Sequence, residues 1–521
     1  MDFIRKMFVL CLIVNYSRVA SAGREPIRCQ TVIIGTGIAG AYAAYKLAPT
    51  LKSDLCVIER HAYDGGRIID VSEAPGGPRW GIGAIRVMAE HVNMRYLAGL
   101  FNITLQPGMG TEYVHTAGRD YFRSVDGSTR GRAAGCMTTR LSNACWTDAQ
   151  IVQAIVRHTR AHPEEVDRFP DFRDLVRALV GTEGLAFLQG FTRFNTFFAQ
   201  SHSPASMLDF LEWEYGWKDQ RIFYTVGGMA TFVQRLMDAV RSTSARVFHN
   251  QTIVQMDADV SFTLRSPTHT FLADEVIASI DPFNLKQVRG NVAAALVRSR
   301  EFQSLLPHVV STVTAWWPAR WWERVPINGT AGRLTRYINH ELCLNSMDIP
   351  VFPYGIAQNV SRVVYDDGQC LPLWRKLITN RTTPDAQDIH LHETRNMSDP
   401  LVTAVMKYLR AAFPGVKIPL PRKMLGMLRE NAWHYQRAGS PFNDLDIRRW
   451  SRAPLPGRKL ALVGEAYNSR HAMWSEGALK TVMAVLAFQY GMSYPCVDAA
   501  GQPEYKTDFA KCTPATARNR T

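Results

Sequence analysis

Thr31-Val32-Ile33-Ile34-Gly35-Thr36-Gly37-Ile38-Ala39-Gly40 is the stretch on which the fold turns. Its apolar half is the length of one buried strand, and its second half spells GxGxxG. Ala41 to Leu47 then reads as a helix. Leu55-Cys56-Val57-Ile58 reads as a second strand and ends in Glu59, with Arg60 beside it. Strand, glycine turn, helix and strand with a terminal acid make the opening of a doubly wound, Rossmann-type α/β domain that binds a dinucleotide. Gly35 permits the tight turn, Gly37 lets a pyrophosphate approach the backbone, and Gly40 lets helix and strand pack closely. The N–H groups opening the helix, at Ile38 and Ala39, face the phosphates. Glu59 is placed to accept hydrogen bonds from the adenosine ribose.

Upstream, Arg5 and Lys6 precede the apolar run Met7 to Val14, and Ala20-Ser21-Ala22 supplies small residues for cleavage after Ala22. Eight apolar residues span about 12 Å as a helix, against about 30 Å of bilayer core. Residues 1–22 are therefore expected to be an export signal, and the protein to be secreted. Asn-x-Ser/Thr acceptors at Asn102, Asn250, Asn328, Asn359, Asn380, Asn396 and Asn519 agree with export, although Asn250 risks lying in a strand. Cleavage leaves eight cysteines, an even number suited to an oxidising compartment, with the pairing open. Cys56, inside an apolar strand, also reads as a buried thiol.

The 521 residues are 46% hydrophobic and 20% charged, which excludes a disordered chain and a disulfide-stapled mini-protein. A formal charge of +14 leaves an acidic surface open as a partner. The basic tail Lys511 to Arg520 has few aromatics around it and reads as a frayed terminus, so no nucleic acid is expected. No CxxC pair occurs, and His202, His340, His390 and His392 lack metal-ligand spacing, so they read as structural and no metal is expected.

Helical patterns occupy Ile151 to His158, Phe172 to Leu179 and Met207 to Tyr215. Short strands follow at Arg246–Phe248, Thr252–Val254, Phe262–Leu264 and Glu275–Ala278, and a last strand spans Lys459–Val463 before a helix from Trp474 to Phe488. Nucleotide-binding pieces thus recur at the beginning, middle and end of the chain. We assign a discontinuous dinucleotide domain to 29–90, 225–300 and 430–492. A mixed α+β substrate domain takes 91–224 and 301–429, and 493–521 is a tail.

In this order the pieces resemble the flavin-containing amine oxidases. The likeness spans about residues 29–492. It is carried by Gly35 to Gly40, Glu59 with Gly65-Gly66-Arg67, Gly81-Ile82-Gly83-Ala84-Ile85-Arg86, Val226-Gly227-Gly228-Met229, Ala273 to Ile277, Gly464-Glu465-Ala466-Tyr467 and Trp474-Ser475-Glu476-Gly477-Ala478-Leu479. The resemblance implies FAD, with Gly66, Arg67, Gly83, Ala84, Ile253, Gly464, Glu465, Ser475 and Ala478 among the residues that hold it. Arg67 would neutralise the pyrophosphate, Glu465 would accept from ribityl hydroxyls, and the helix opening at Trp474 would face the flavin pyrimidine edge. No cysteine lies near Trp433-His434-Tyr435, so non-covalent FAD is expected.

Gly83-Ala84-Ile85-Arg86 is similar to the segment of the L-amino-acid oxidase branch whose arginine pairs with the substrate α-carboxylate. A buried guanidinium at Arg86 needs either that carboxylate or an internal acid. Trp474 would form an aromatic wall beside the flavin. The implied activity is oxidative deamination of L-amino acids by O₂; a polyamine or monoamine oxidase, or a catalytically weakened binding or toxin-like flavoprotein, is the alternative. A homodimer is left open. Several positions depart from the family. Tyr63 and Asp64 stand where an arginine and an apolar residue commonly precede the double glycine, and Asp64 threatens the pyrophosphate unless it turns outward. Thr312 stands near the place of a water-holding lysine before Trp321-Trp322, and Met473 replaces a glycine. The family's carboxylate-binding tyrosine is not located.

Overall fold

The computed structural model describes residues 25–492 apart from 78, 109, 125–135, 193, 200–201, 216–220, 328–329, 332–333, 350–358, 380–387 and 469–473. Residues 1–22, expected as an export signal, lie outside the described residues, as do Met473, the tail, Cys496, Cys512, Asn328, Asn380 and Asn519.

The expected opening is present as strand β1 (Ile27–Ile34), helix α1 (Ile38–Leu51) and strand β2 (Leu55–Ile58). Around them a seven-stranded sheet is completed by β3 (Arg246–Phe248), β4 (Gln255–Ala258), β5 (Phe262–Arg265), β6 (Thr270–Ala278) and β7 (Lys459–Leu462). β1, β2, β3, β6 and β7 run parallel. The long strand β6 has β1 along one edge, while its other edge is shared: residues 270–273 pair antiparallel with β5, and 275–278 pair parallel with β7. The apolar runs 32–34, 55–58, 276–278 and 460–462 are buried because both faces of the sheet are covered. Ile33, Val57, Ile277 and Ala461 pack on one face beneath α1 and helix α2 (Ser475–Tyr490). Val32, Ile34, Cys56, Ile58, Val276 and Leu460 fill the other.

Thr252-Ile253-Val254 is not a strand. It is an extended connection tied by Gln251 N–H to the Glu59 carbonyl and by Val254 N–H to the Arg265 carbonyl, and the strand begins at Gln255. Cys56 is not a free thiol: it is bonded to Cys29 from the neighbouring strand, with their Cα atoms 5.9 Å apart. Cys136–Cys145 and Cys343–Cys370 are also disulfides. Asn250 lies beyond β3 in an exposed turn at φ +57°.

The second body is an eight-stranded sheet. Its central strands, Leu305–Trp316 and Lys423–Gln436, pair over nearly their full length, and the second of these runs past residue 430. Alternation sorts the first strand's side chains: Val313 and Ala315 pack beneath Leu371–Thr379 and Pro400–Ala412, and Val310 and Thr312 turn to the opposite face. The predicted helical region is realised as Asp148–Ala161, Phe172–Phe191 and Pro204–Tyr215, the first opened by a Thr147/Gln150 capping box.

Candidate active site

The carboxyl ends of β1, β2 and β6 open into a cavity of about 620 Å³ that continues to the inner face of the second sheet. A crevice at that end of a doubly wound sheet is where such folds bind nucleotides. The glycine turn builds its floor. Gly35 donates 2.7 Å to the Ile58 carbonyl, locking the turn to β2. A Cβ on Gly40 would stand 1.9 Å from the Gly35 carbonyl oxygen, so only glycine lets α1 pack there. Gly40 is accordingly the one predicted cofactor residue that does not line the cavity; it shapes the turn that does. Gly35, Gly37, Ile38 and Ala39 line it directly.

Glu59 is buried at the end of β2. It accepts from Thr36 N–H and the Thr36 hydroxyl, both at 2.8 Å, and from His61 N–H at 2.9 Å. The anion is therefore held in place by the loop, as a ribose acceptor requires. Arg60 lines the cavity too, but its guanidinium is spent on Asp388, bidentately at 2.8 and 3.0 Å, and on Asn284. It fastens β2 to the second body, and its role toward the cofactor is correspondingly reduced.

Arg67 and Glu465 both line the cavity, yet they form an ion pair with each other. His434 Nδ1 joins Glu465 at 2.9 Å. Burial alone would raise the Glu465 carboxyl, but Arg67 and His434 outweigh it and hold it down at about 2. Arg67 thus offers a phosphate only the donors its acid leaves over. Gly66, Gly83, Ala84, Ile253, Gly464, Ser475 and Ala478 line the same cavity. Asp64 turns outward to Arg241 and to His249 at 3.0 Å, which resolves the threat it posed. α2 opens at Trp474, whose side chain does not cap it, so the positive end of the helix faces the cavity.

The far end of the cavity holds a buried charge cluster. Arg86 lies 3.6 Å from Asp348 and its guanidinium carbon is 5.6 Å from the Trp474 ring. The internal acid partner weighed for Arg86 is therefore present. But Asp348 is also bonded by Arg362 and lies 3.7 Å from Arg336, which takes Glu112 as well. Three guanidinium groups face the carboxylates of Asp348 and Glu112, while a third acid, Glu214, stands near Arg86 with its carboxyl raised to about 7 by burial. Burial and the neighbouring arginines lower the Arg86 pKa despite Asp348, whereas the three arginines overcome burial to keep Asp348 low. Such a cluster attracts one further anion. Tyr365 lines the cavity with Arg362 4.7 Å above its ring. Thr312 is buried against the cavity, and its hydroxyl has no hydrogen-bond partner among the described residues. A water-holding position requires such a group.

Sequence reasoning missed Asp348, Arg362, Tyr365 and Arg429, all on strands of the second sheet. The signal was a charged residue inside an otherwise apolar strand, as in Val360-Ser361-Arg362-Val363-Val364. His202 and His308 form a buried pair, Nε2 to Nε2 at 3.0 Å, away from the cavity lining.

A sequence family of NAD(P)-binding Rossmann-like domains matches residues 33–97. Cyclohexylamine oxidase from Brevibacterium oxydans superposes with a TM-score of 0.62 at 16% identity, covering 89% of this chain and 100% of that one. Putrescine oxidase bound to putrescine gives 0.60 at 11% identity, covering 90% and 100%. The chain has the amine-oxidase fold. No curated protein matches it in sequence. The glycine-floored end of the cavity lies at the carboxyl ends of β1, β2 and β6, and Arg86 and Arg362 line its other end. The residues present fit FAD: a glycine floor open to a pyrophosphate, a fixed ribose acceptor, a helix N-terminus and a cavity of ligand size.

Proposed function

We propose that this protein is a secreted FAD-dependent oxidase that converts L-amino acids, O₂ and water to 2-oxo acids, ammonia and hydrogen peroxide. The observation that carries the substrate class is the cation surplus of Arg86, Arg336 and Arg362 over Asp348 and Glu112 at the cavity's inner end. An uncompensated buried guanidinium is costly, and an α-carboxylate supplies the missing charge. The export signal, the acceptor asparagines and the three disulfides support an oxidising, extracellular setting.

FAD supplies the two-electron oxidation when bound. Every other part belongs to the chain. Arg86 fixes the carboxylate and so orients the Cα–H, and Tyr365 lines the same cavity. Trp474 walls the site, and Arg86 over its ring limits the rotation of both. Thr312 holds a water at the cavity surface. This positioning converts a bimolecular encounter into an oriented one. The runner-up, an oxidase of simple amines, is favoured by the substrates for which the two structural neighbours are named.

The test is anaerobic bleaching of the purified yellow protein by the twenty L-amino acids and by a panel of amines. L-amino acids are expected to bleach it. Bleaching by amines alone would move the protein to the runner-up, and a yellow protein that nothing bleaches would make it a weakened flavoprotein.

A further inference from the structure

Arg429 lies in the middle of the strand Lys423–Gln436, between Val310 and Ile389 on the flanking strands. It is 3% exposed, and it lines the nucleotide cavity. Its Nε and Nη2 are buried with no hydrogen-bond partner among the described residues. Asp388 would be its natural acid, but Arg60 already binds that carboxylate through both oxygens. The next acid, Asp281, caps the short helix Pro282–Leu285 and takes Asn284. Arg67, close enough to repel it, is held by Glu465. Among the described residues, Arg60 and Arg67 at this end of the cavity each have an acid of their own and Arg429 has none. Burial pulls its pKa down to about 10 despite the pull of Asp388, in keeping with a cation that lacks a bonded counter-ion.

The sequence supplies the other half. The arginine that commonly precedes the double glycine is absent, Tyr63 and Asp64 standing there, and Asp64 is turned away to Arg241 and His249. The first body is therefore short of one phosphate-binding cation, and the second body presents an unsatisfied one across the same cavity.

Resting on the reading that the cavity takes a dinucleotide, we infer that Arg429 binds its pyrophosphate bridge, supplying from the second sheet the cation missing at position 63. Planar guanidinium donors match phosphate oxygens bidentately. A cofactor gripped from both bodies also accounts for a buried arginine on this strand with no bonded acid among the described residues.

The test uses the full-length apoprotein, with calorimetric titration of ADP, adenosine and FAD into wild type, Arg429→Met and Arg429→Lys. ADP carries the pyrophosphate and adenosine does not. Loss of a charge-assisted phosphate contact predicts ADP and FAD binding weakened about tenfold or more in Arg429→Met, and less in Arg429→Lys, with adenosine unchanged. Arg429→Lys keeps the charge and serves as the readout if the methionine variant fails to fold. Equal ADP affinity in wild type and in a folded variant would overturn the inference. So would an equal loss for adenosine, which would mark Arg429 as a structural prop. A wild type that binds ADP but not FAD would sink the flavin reading and leave Arg429 in place; one that binds neither overturns both.

Discussion

Arg86 is the residue on which substrate choice depends, and its surroundings make that testable. Replacing it with methionine removes a charge-assisted hydrogen bond, which predicts a KM for amino acids raised roughly 10- to 150-fold with the bound flavin spectrum unchanged. Steady-state kinetics beside an absorbance spectrum read both. Glu214, on the helix Pro204–Tyr215, adds a pH dependence. Burial pushes its carboxyl up to about 7, while Arg86 and the Trp474 indole pull it back. As pH rises through about 7 it ionises and competes for Arg86, so KM should climb above neutrality. Glu214→Gln should flatten that climb; a profile identical to wild type would remove Glu214 from the site. Arg86 was legible in the sequence because Gly83-Ala84-Ile85-Arg86 is a local pattern. Arg362 and Arg429 were not, because the registers of their strands are set by partners far along the chain, and neither were Asp348 and Glu214, which come near Arg86 from elements distant in sequence. Arg60 and Arg67 line the cavity, but no spacing rule reveals that Asp388 and Glu465 engage them.

At the scale of elements, the glycine turn and β2 were readable because a βαβ unit is local: each strand is continuous with the helix that crosses to its neighbour. The eight-stranded sheet was not, since apart from two local hairpins its neighbouring strands lie about ten to two hundred residues apart, and its order follows from pairing alone. The turn yields a sharp prediction. Gly40→Ala places a methyl 1.9 Å from the Gly35 carbonyl oxygen, a backbone atom that cannot yield cheaply. Overpacking of this kind costs about 1–3 kcal/mol, and it displaces the floor of the phosphate site. FAD retention through gel filtration should fall together with the melting temperature. The disulfide Cys29–Cys56 ties β1 to β2 across a sequence separation of 27 residues. Replacing both cysteines with alanine should lower unfolding stability by roughly 3 kcal/mol, measured as a shift of the denaturant midpoint at unchanged slope.

For the molecule as a whole, four buried acids decide how stability responds to pH. Burial lifts Glu214 and Asp366 to about 7, and Asp70 and Asp367 to about 6, each above its ordinary carboxyl value. Asp366 is raised further by the neighbouring Asp367. A carboxyl whose pKa is higher when folded binds its proton more tightly in the native state. Its stabilisation is complete below the unfolded pKa near 4 and is lost as pH climbs through 6 to 7. Glu465, Asp348 and Asp388 act in the opposite sense, because arginine partners hold them low; their contribution is already complete above the unfolded carboxyl pKa and vanishes only in acid. The two groups together place the stability maximum of the apoprotein near pH 5, on the acid side of neutrality, with a decline between about pH 5 and pH 8. Thermal unfolding across pH 3 to 9 measures it. Asp366→Asn and Glu214→Gln should each shrink the decline, since an amide has no proton to lose. A melting temperature that rises from pH 5 to pH 8 in the wild type would mean that these four carboxyls titrate at ordinary values in the folded protein, and that burial does not raise them.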